Sequence, residues 1–368
     1  MPESEKENKL FSFFARVQQL GRQLANLYSP QTIKQKGLWW GLGLLSATLV
    51  VFLFVLGIFW SQEPEQFNVN TYAQEKARLN NISVVPGYTT TVTTLHIAET
   101  LLDKPGGYLS NDKMPPVSLF GILPLLDNIP NWEFGALTML RDTTRVLRND
   151  FSRSQSQSRE NEDLSKSEPQ FNFNNESWLF PATESEYRRG IKYLESYSIE
   201  LANRSDPTTQ FFTRADNLNE LLAVVEKRLG SYTQRLNASV EMSEVNTDLA
   251  GDTAAQGATE APQTYIAKTP WMEIDDVFFE ARGYVWGLLH VLYAIETDFA
   301  AVLTKKNATS SMQQVVLLLA QSLVSPTSPM VLNGAPMGLV ANYSKSMVSF
   351  ISPANSAIID LRNLLKDG

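Results

Sequence analysis

The feature that most constrains this chain is an uninterrupted apolar segment of 23 residues from Leu38 to Trp60. At about 1.5 Å per residue, a helix of this length crosses a bilayer core of about 30 Å. Trp39, Trp40 and Trp60 mark its two ends, where indole rings favour the headgroup region. We therefore expect a transmembrane helix at 38–60. The alternative, a buried helix of a soluble core, fits less well because soluble helices this long carry a polar face.

Charges on either side of this segment predict its orientation. Six basic and three acidic residues precede it, with Lys34 and Lys36 closest, whereas Glu63 and Glu65 follow it. The positive-inside rule then places the N-terminus in the cytoplasm and residues 61–368 across the membrane. No small-residue cleavage site follows the apolar run, so we expect it to remain as an anchor and not to be removed as a signal peptide.

The arm at 1–37 has a helical apolar spacing of its own. The apolar positions recur at three- and four-residue steps, at Phe11, Phe14, Val17, Leu20, Leu24 and Leu27. This pattern predicts an amphipathic helix, with the lipid bilayer as one partner if it lies on the inner leaflet. The equally weighted alternative is a helix that docks on a partner protein or simply flanks the span.

Composition excludes several classes of function. The chain has no cysteine and two histidines, which removes thiol chemistry and cysteine-ligated zinc and leaves little for a histidine-rich metal site. We expect no metal and no cofactor, because no motif for either is present. The 39 acidic residues outnumber the 31 basic ones, and the excess lies beyond the span, so we expect no nucleic-acid partner there.

Beyond the span, the apolar spacing is helical nearly everywhere, which predicts a mainly α fold at 61–368 with two long flexible loops near 152–173 and 239–264. Asn131 is a candidate N-cap for a helix that begins at Trp132. The run from Thr89 to Leu102 is ambiguous, because its threonines favour a strand whereas its leucine spacing favours a helix. We expect the helix.

Four segments of the far-side region resemble an uncharacterised family of single-pass bacterial inner-membrane proteins, a domain of unknown function. The segments are KPGGYLSNDKMPP at 104–116, LDNIPNWEFG at 126–135, SRSQSQS at 152–158 and PWMEIDDVFFEARG at 270–283. The resemblance implies a bacterial inner-membrane protein whose C-terminal domain is periplasmic. It implies no activity and no catalytic residue.

One predicted helix, from about Glu273 to Leu303, places ionisable and small residues on a single line. The candidate catalytic residues on it are Asp276, Glu280, His290 and Asp298. One hypothesis is a cleft in which these groups perform acid/base chemistry or hold a cation. The alternative, which we favour, is structural: Gly283 and Gly287 admit a neighbouring helix, and the acids pair with arginines.

Arginines for such pairing lie on the helix predicted from Trp132, where Arg141, Arg145 and Arg148 share one flank. This row is expected either to meet the acids of the other helix or to bind an anionic lipid headgroup or a cell-wall carboxylate or phosphate. The leading hypothesis for function is a non-enzymatic, membrane-anchored interaction or assembly factor of the bacterial envelope, with other envelope proteins as partners. The alternative is a periplasmic hydrolase that uses the Asp/Glu/His cleft.

Overall fold

The computed structural model describes residues 18–19, 26–153, 160–203, 209–245, 264–326, 328, 330–335 and 338–367. Its contacts divide the chain into two compact units, Met1–Phe59 and Trp60–Gly368. The amphipathic helix predicted between Phe11 and Leu27 lies mostly outside the described residues.

Two helices lie wholly within the described part of the N-terminal region. The first, α1, spans Pro30–Lys36; the Ser29 hydroxyl caps it by accepting the Thr32 N–H at 3.2 Å. The second, α2, spans Leu38–Trp60 and is long and apolar enough to cross a membrane. Only Gly57 is buried along its length. The core helix of a soluble protein is mostly buried, and this apolar helix is not.

The second unit is a bundle of ten α-helices among the described residues, which confirms the mainly α prediction. They are α3 Val69–Leu79, α4 Tyr88–Asp103, α5 Asn128–Val146, α6 Glu162–Phe171, α7 Thr183–Asn203, α8 Ala215–Asn237, α9 Ile274–Asp298, α10 Ala300–Lys305, α11 Thr309–Ser322 and α12 Tyr343–Asp367. A π-helical turn, Leu147–Phe151, extends α5. The described part of this unit also contains two short antiparallel hairpins: β1 Ser118–Leu119 with β2 Leu123–Pro124, and β3 Met242–Val245 with β4 Thr264–Ala267.

Glycines bring α5 and α9 together at the centre of the bundle. A Cβ atom on Gly283 would lie 1.9 Å from the carbonyl oxygen of Trp132, and a Cβ on Gly135 would lie 1.9 Å from that of Glu280. The two backbones therefore touch directly, which only glycine permits. Gly287 meets Met139, further along α5, so the two helices run parallel.

The ambiguous threonine-rich run is helical, as expected, and forms α4 with almost all of its side chains buried. The hydroxyls of Thr91 and Thr94 each donate to the carbonyl four residues earlier, at 2.7 Å. Burial in the bundle thus outweighs the strand preference of threonine, because the hydroxyls find partners within the helix itself.

Parts of the two predicted loops are regular structure. The prediction of a loop at 152–173 is wrong for 162–171, where Asn161 caps α6 by accepting the Leu164 N–H at 3.0 Å. Leu164 and Phe171 are buried two turns apart, with Ser167 buried between them, so one face of this otherwise polar helix packs into the bundle. Within 239–264, residues 242–245 pair with 264–267, and 246–263 lie outside the described residues.

The predicted N-cap is also wrong. The helix begins at Asn128, one turn before Trp132, and Asn131 lies inside it. The amide of Asn131 donates instead to the carbonyl of Asp127 at 3.0 Å and to the carboxylate of Asp276 at 2.6 Å.

Candidate functional site

The four candidate catalytic residues lie on α9, but each contacts a different part of the bundle. Asp276, at the start of α9, accepts the Asn131 amide of α5 at 2.6 Å. Burial raises its pKa to about 6, and the neighbouring carboxylates of Asp127 and Asp275 add to that rise. Asp276 is therefore partly protonated near neutral pH and serves as a contact between two helix starts.

Glu280 is held by α8. Its carboxylate accepts both ends of the Arg235 guanidinium, at 2.9 and 2.5 Å, and the Tyr232 hydroxyl at 3.1 Å. The expectation that Glu280 pairs with an arginine is met, but the partner is not a member of the predicted row. The bidentate pair raises the pKa of Arg235 through that hydrogen bond, so the guanidinium stays charged.

His290 holds the chain that leaves the apolar helix. Its Nε2 accepts the Phe67 N–H at 3.1 Å, its Nδ1 lies 2.7 Å from the carbonyl of Trp286, and its ring stacks on Phe67 with centroids 4.0 Å apart. This geometry requires a neutral ring protonated at Nδ1. Burial lowers the pKa of His290 to about 4, which keeps the ring neutral.

Asp298 caps α4 from outside. Its carboxylate accepts the N–H and the hydroxyl of Thr90, both at 2.7 Å, at the first turn of that helix. A carboxylate at a helix N-terminus is stabilised by the helix dipole and by the unpaired N–H groups. The four residues are thus each engaged by a separate element, and they do not converge on a shared cleft.

The arginine row is likewise divided. Arg141 donates to the carbonyls of Phe171 and Phe173, at 2.7 and 3.0 Å, and so closes the C-terminal end of α6. Arg148 binds Glu160 and Glu168 at 2.9 and 2.7 Å. Arg145 is half exposed, and its guanidinium lies 4.0 Å from Asp142. The predicted pairing of this row with Asp276 and Glu280 is therefore wrong.

Arg141 and Arg145 nevertheless line a groove that sequence patterns did not reveal. It encloses about 310 Å³ between α5, α6, α8 and α9, and we call it the arginine groove. Its charged lining residues are Arg141, Asp142, Arg145, Glu168, Arg228, Arg235 and Glu280. Phe134, Thr138, Asn172, Ser231 and Tyr232 complete it.

The arginine groove presents guanidinium groups to the solvent. Arg228 donates two hydrogen bonds to the Asp142 carboxylate, at 2.8 and 3.1 Å, in the same way that Arg235 donates two to Glu280. In both pairs the acid is buried, with side-chain exposures of 4% and 11%, whereas the arginines are 45% and 42% exposed. The two acids lie at the buried bottom of the groove and the two arginines lie at its exposed edge, which we call the rim. The solvent-accessible surface of the groove is therefore cationic, although most of its charges are paired.

Sequence reasoning missed Arg228 and Arg235, which face the groove from α8. With Tyr232 they recur at four- and three-residue steps, so one helical face carries all three, and this spacing was available in the sequence. Which acids they meet depends on how α8 packs on α5 and α9.

A second cavity, of about 510 Å³, lies between α4 and the residues that follow the apolar helix. Its lining includes the carboxylates of Glu63, Glu65, Glu99 and Asp103, together with His96. Among the described residues, no group of three or more histidine, aspartate or glutamate side chains is placed to hold a metal ion.

Comparison with known families gives one match. The model of a family described as "Uncharacterized protein conserved in bacteria (DUF2333)" matches residues 33–368, which include the apolar helix and the whole bundle. No match is found among curated proteins or among solved structures.

Proposed function

The chain belongs to this uncharacterised bacterial family, DUF2333, and on that premise we propose that it is a single-pass inner-membrane protein whose periplasmic bundle is a non-enzymatic interaction factor. In this proposal α2 spans the membrane with the N-terminus in the cytoplasm. The arginine groove binds a carboxylate on a partner envelope protein.

The membrane anchor is supported by α2 and its flanking charges. Lys34 and Lys36 lie in the last turn of α1, directly before the span, and Glu63 and Glu65 follow it. Basic residues are retained on the cytoplasmic side, so this asymmetry favours a periplasmic bundle.

The observation that carries the interaction role is the half-exposed guanidinium rim above buried acids. Arg145 contributes most to it, because its nearest carboxylate is 4.0 Å away and leaves most of its five donors open. A fork of this kind binds a carboxylate bidentately. The arginine groove, at about 310 Å³, is large enough for one acidic group, such as a side chain of a docked partner.

The hydrolase alternative has less support. General acid/base catalysis needs a titratable group within hydrogen-bond reach of the substrate atom that gains or loses the proton. Here His290 is enclosed and has both ring nitrogens engaged, and Asp298 is occupied by the start of α4. Neither group is directed into the arginine groove.

Reporter fusions test the topology. Alkaline phosphatase fused after Gly368 folds only in the periplasm and should be active, whereas green fluorescent protein at the same position should be dark. The same reporters fused before Met1 should behave in the opposite way. An active phosphatase at the N-terminus and an inactive one at the C-terminus would contradict the orientation.

Site-specific crosslinking tests the interaction role. A photoreactive amino acid at Ser231, which is exposed on the groove lining, should capture a discrete partner in cells. Arg145→Glu should abolish the product because it reverses the least neutralised charge of the rim. Lys227→Glu is the matched control, since it makes the same change on the exposed side of α8 outside the groove, and should leave the product intact.

Two outcomes would count against this function. A crosslink that persists in Arg145→Glu would show that the guanidinium rim does not recognise the partner. If Glu280→Gln and His290→Phe fold normally yet abolish the cellular phenotype of the gene while Arg145→Glu does not, the hydrolase alternative would be favoured.

A further inference from the structure

The loops between the helices of the bundle gather at its ends. The loop at 104–127 contacts the loop at 172–182: the Tyr108 hydroxyl donates to the carbonyl of Asn175 at 3.1 Å, and the Asn111 amide donates to that of Ser177 at 3.0 Å. These two loops therefore lie side by side.

A second pair of loops lies at the same end. The Asn333 amide donates to the carbonyl of Ser239 at 2.8 Å, which joins the loops at 323–342 and 238–273. The loops at 104–127 and 238–273 lead into α5 and α9, which run parallel and begin side by side at the contact between Asn131 and Asp276. We call the described residues of these four loops the loop end.

The loop end carries nearly all of the strongly exposed apolar side chains. Nine of the ten most exposed large apolar side chains in the described part of the second unit belong to it. They are Phe120, Ile122, Leu179, Phe180, Trp271, Met272, Val324, Met330 and Leu339. The tenth, Leu79, ends α3 away from these loops. Exposed aromatic and aliphatic side chains on this scale mark an interaction surface, because each would otherwise be buried.

The backbone of the hairpin β1–β2 directs two of these side chains outward. Phe120 has φ 54° and Gly121 has φ 75°, so the turn between the strands is left-handed at both positions. Phe120 is 64% exposed and Ile122 is 85% exposed. A phenylalanine in this conformation is uncommon, and here it places an aromatic ring at the tip of a turn.

Within the second unit, Trp60 contacts one of the loops of the loop end. Trp60, the last residue of the apolar helix and the first residue of the second unit, packs on Gly106, where a Cβ atom would lie 2.8 Å from the indole ring. The chain then runs beside α9, and Glu63 binds the buried Arg282 with two bonds of 2.7 Å. Arg282 also donates to the carbonyls of Leu323 and Val324 at 3.1 Å, which ties this exit to the loop at 323–342.

The net charge of the four loops indicates which kind of surface the loop end can bind. Its four loops contain more acidic than basic residues, so attraction to anionic headgroups does not drive the contact. The apolar side chains themselves must supply the affinity, as aromatic and aliphatic residues do at the headgroup level of a bilayer.

We infer that the loop end inserts its apolar side chains into the surface of the same bilayer that α2 spans, so that the bundle rests on the membrane and is not merely tethered to it. The occupant is a zwitterionic lipid surface, and Phe120, Ile122, Leu179, Phe180 and Trp271 are the principal anchors. The inference rests on the proposed membrane span. It is supported by Trp60, the residue at which the apolar helix ends and the second unit begins, because Trp60 packs on Gly106 in the loop that carries Phe120 and Ile122.

Fluorescence quenching in phosphatidylcholine proteoliposomes tests the inference with the full chain. Because the chain has no cysteine, single variants take one polarity-sensitive label without further changes. Phe120→Cys and Leu179→Cys report on the loop end. Leu79→Cys, equally apolar and exposed but outside the loop end, is the matched control, and Leu49→Cys at the middle of α2 reports on the span.

We expect labels at 120 and 179 to be quenched by nitroxides attached near the lipid headgroup, and a label at 79 only by a soluble quencher. The label at 49 should be quenched most by nitroxides deep in the acyl chains. If 49 is quenched in this way but 120 and 179 behave like 79, the inference fails while the membrane span stands. If 49 is not quenched by lipid nitroxides, the span itself fails. Labels at 120 and 179 that neither quencher reaches would mean that protein covers the loop end, which also overturns the inference.

Discussion

The contact between α5 and α9 allows a sharp prediction for Gly283→Ala. The added methyl carbon would lie 1.9 Å from the Trp132 carbonyl oxygen, whereas ordinary contact begins at about 3.4 Å. The two helices would have to separate by about 1.5 Å, because the obstruction is backbone and cannot rotate away. Separation would loosen the contact between the buried indoles of Trp132 and Trp286, whose centroids are 5.1 Å apart.

The size of the effect follows from two opposed contributions. Overpacking of a core costs about 1 to 3 kcal/mol, and an obstruction by backbone lies at the upper end of that range or above it. Replacing glycine by alanine inside a helix returns about 1 kcal/mol. We therefore expect Gly283→Ala to lower the free energy of unfolding by about 2 kcal/mol or more. Gly135→Ala should behave alike, and the double variant should be less than additive because one displaced interface accommodates both methyl groups.

Alanine substitutions at two further glycines, where the added methyl group has more space, serve as controls for Gly283→Ala. Gly287→Ala would place its methyl carbon 3.2 Å from Cβ and Cγ of Met139, and should cost less because a shift of a few tenths of an ångström relieves that contact. Gly230→Ala on α8 meets nothing closer than the Asn355 amide at 3.8 Å, so it should be neutral or stabilising by up to about 1 kcal/mol.

Urea unfolding of the full chain in detergent, followed by tryptophan fluorescence, measures the series. The expected order of stability is Gly230→Ala, then Gly287→Ala, then Gly283→Ala. Equal or greater stability of Gly283→Ala relative to the natural sequence would refute the backbone contact between α5 and α9.

Three other predictions concern buried polar groups. The folded-state pKa of His290, about 4, lies below its unfolded value of 6.5, so the neutral ring stabilises the fold fully above about pH 6.5 and this stabilisation is lost as the pH falls toward 4. The loss in free energy of unfolding approaches about 3 kcal/mol. Unfolding curves measured at pH 7 and pH 5 should therefore differ less for His290→Phe than for the natural sequence. Glu280 and Arg235 should show a coupling of about 1 to 2 kcal/mol in a double-alanine cycle, discounted for the half-exposed guanidinium, and additive single variants would contradict the bidentate pair. The fully buried Glu133 carboxylate accepts hydrogen bonds from the Lys104 ammonium group and from the N–H groups of Leu109 and Ser110. Glu133→Gln should therefore cost about 3 to 5 kcal/mol in thermal unfolding, and adding Lys104→Met should recover part of that loss.

The candidate site shows where sequence reasoning stops. The spacing on α9 correctly indicated that Gly283 admits a neighbouring helix, because small residues on an otherwise apolar helix imply close packing. It did not identify Gly135 as the reciprocal contact, and it assigned the acids to the wrong arginines. Partner identity depends on the register and crossing of helices that are far apart in the chain, and no local pattern encodes either.

The sequence by itself determined the apolar helix, its flanking charges and the helical character of the bundle. These properties depend on the hydrophobicity and the periodicity of consecutive residues, so they do not depend on contacts with the rest of the chain. The sequence did not predict α6, because two large apolar residues in a polar stretch are too few to show a helical periodicity.

Only the tertiary structure determined which partners the polar residues contact. It made His290 a support for the chain that leaves the apolar helix, placed Arg228 and Arg235 over acids of two other helices, and gathered the exposed apolar loops at the end where Trp60 packs. The physical reason is that a buried polar group must find its partner wherever the fold brings one, often more than 100 residues away, whereas an apolar side chain needs only to leave water.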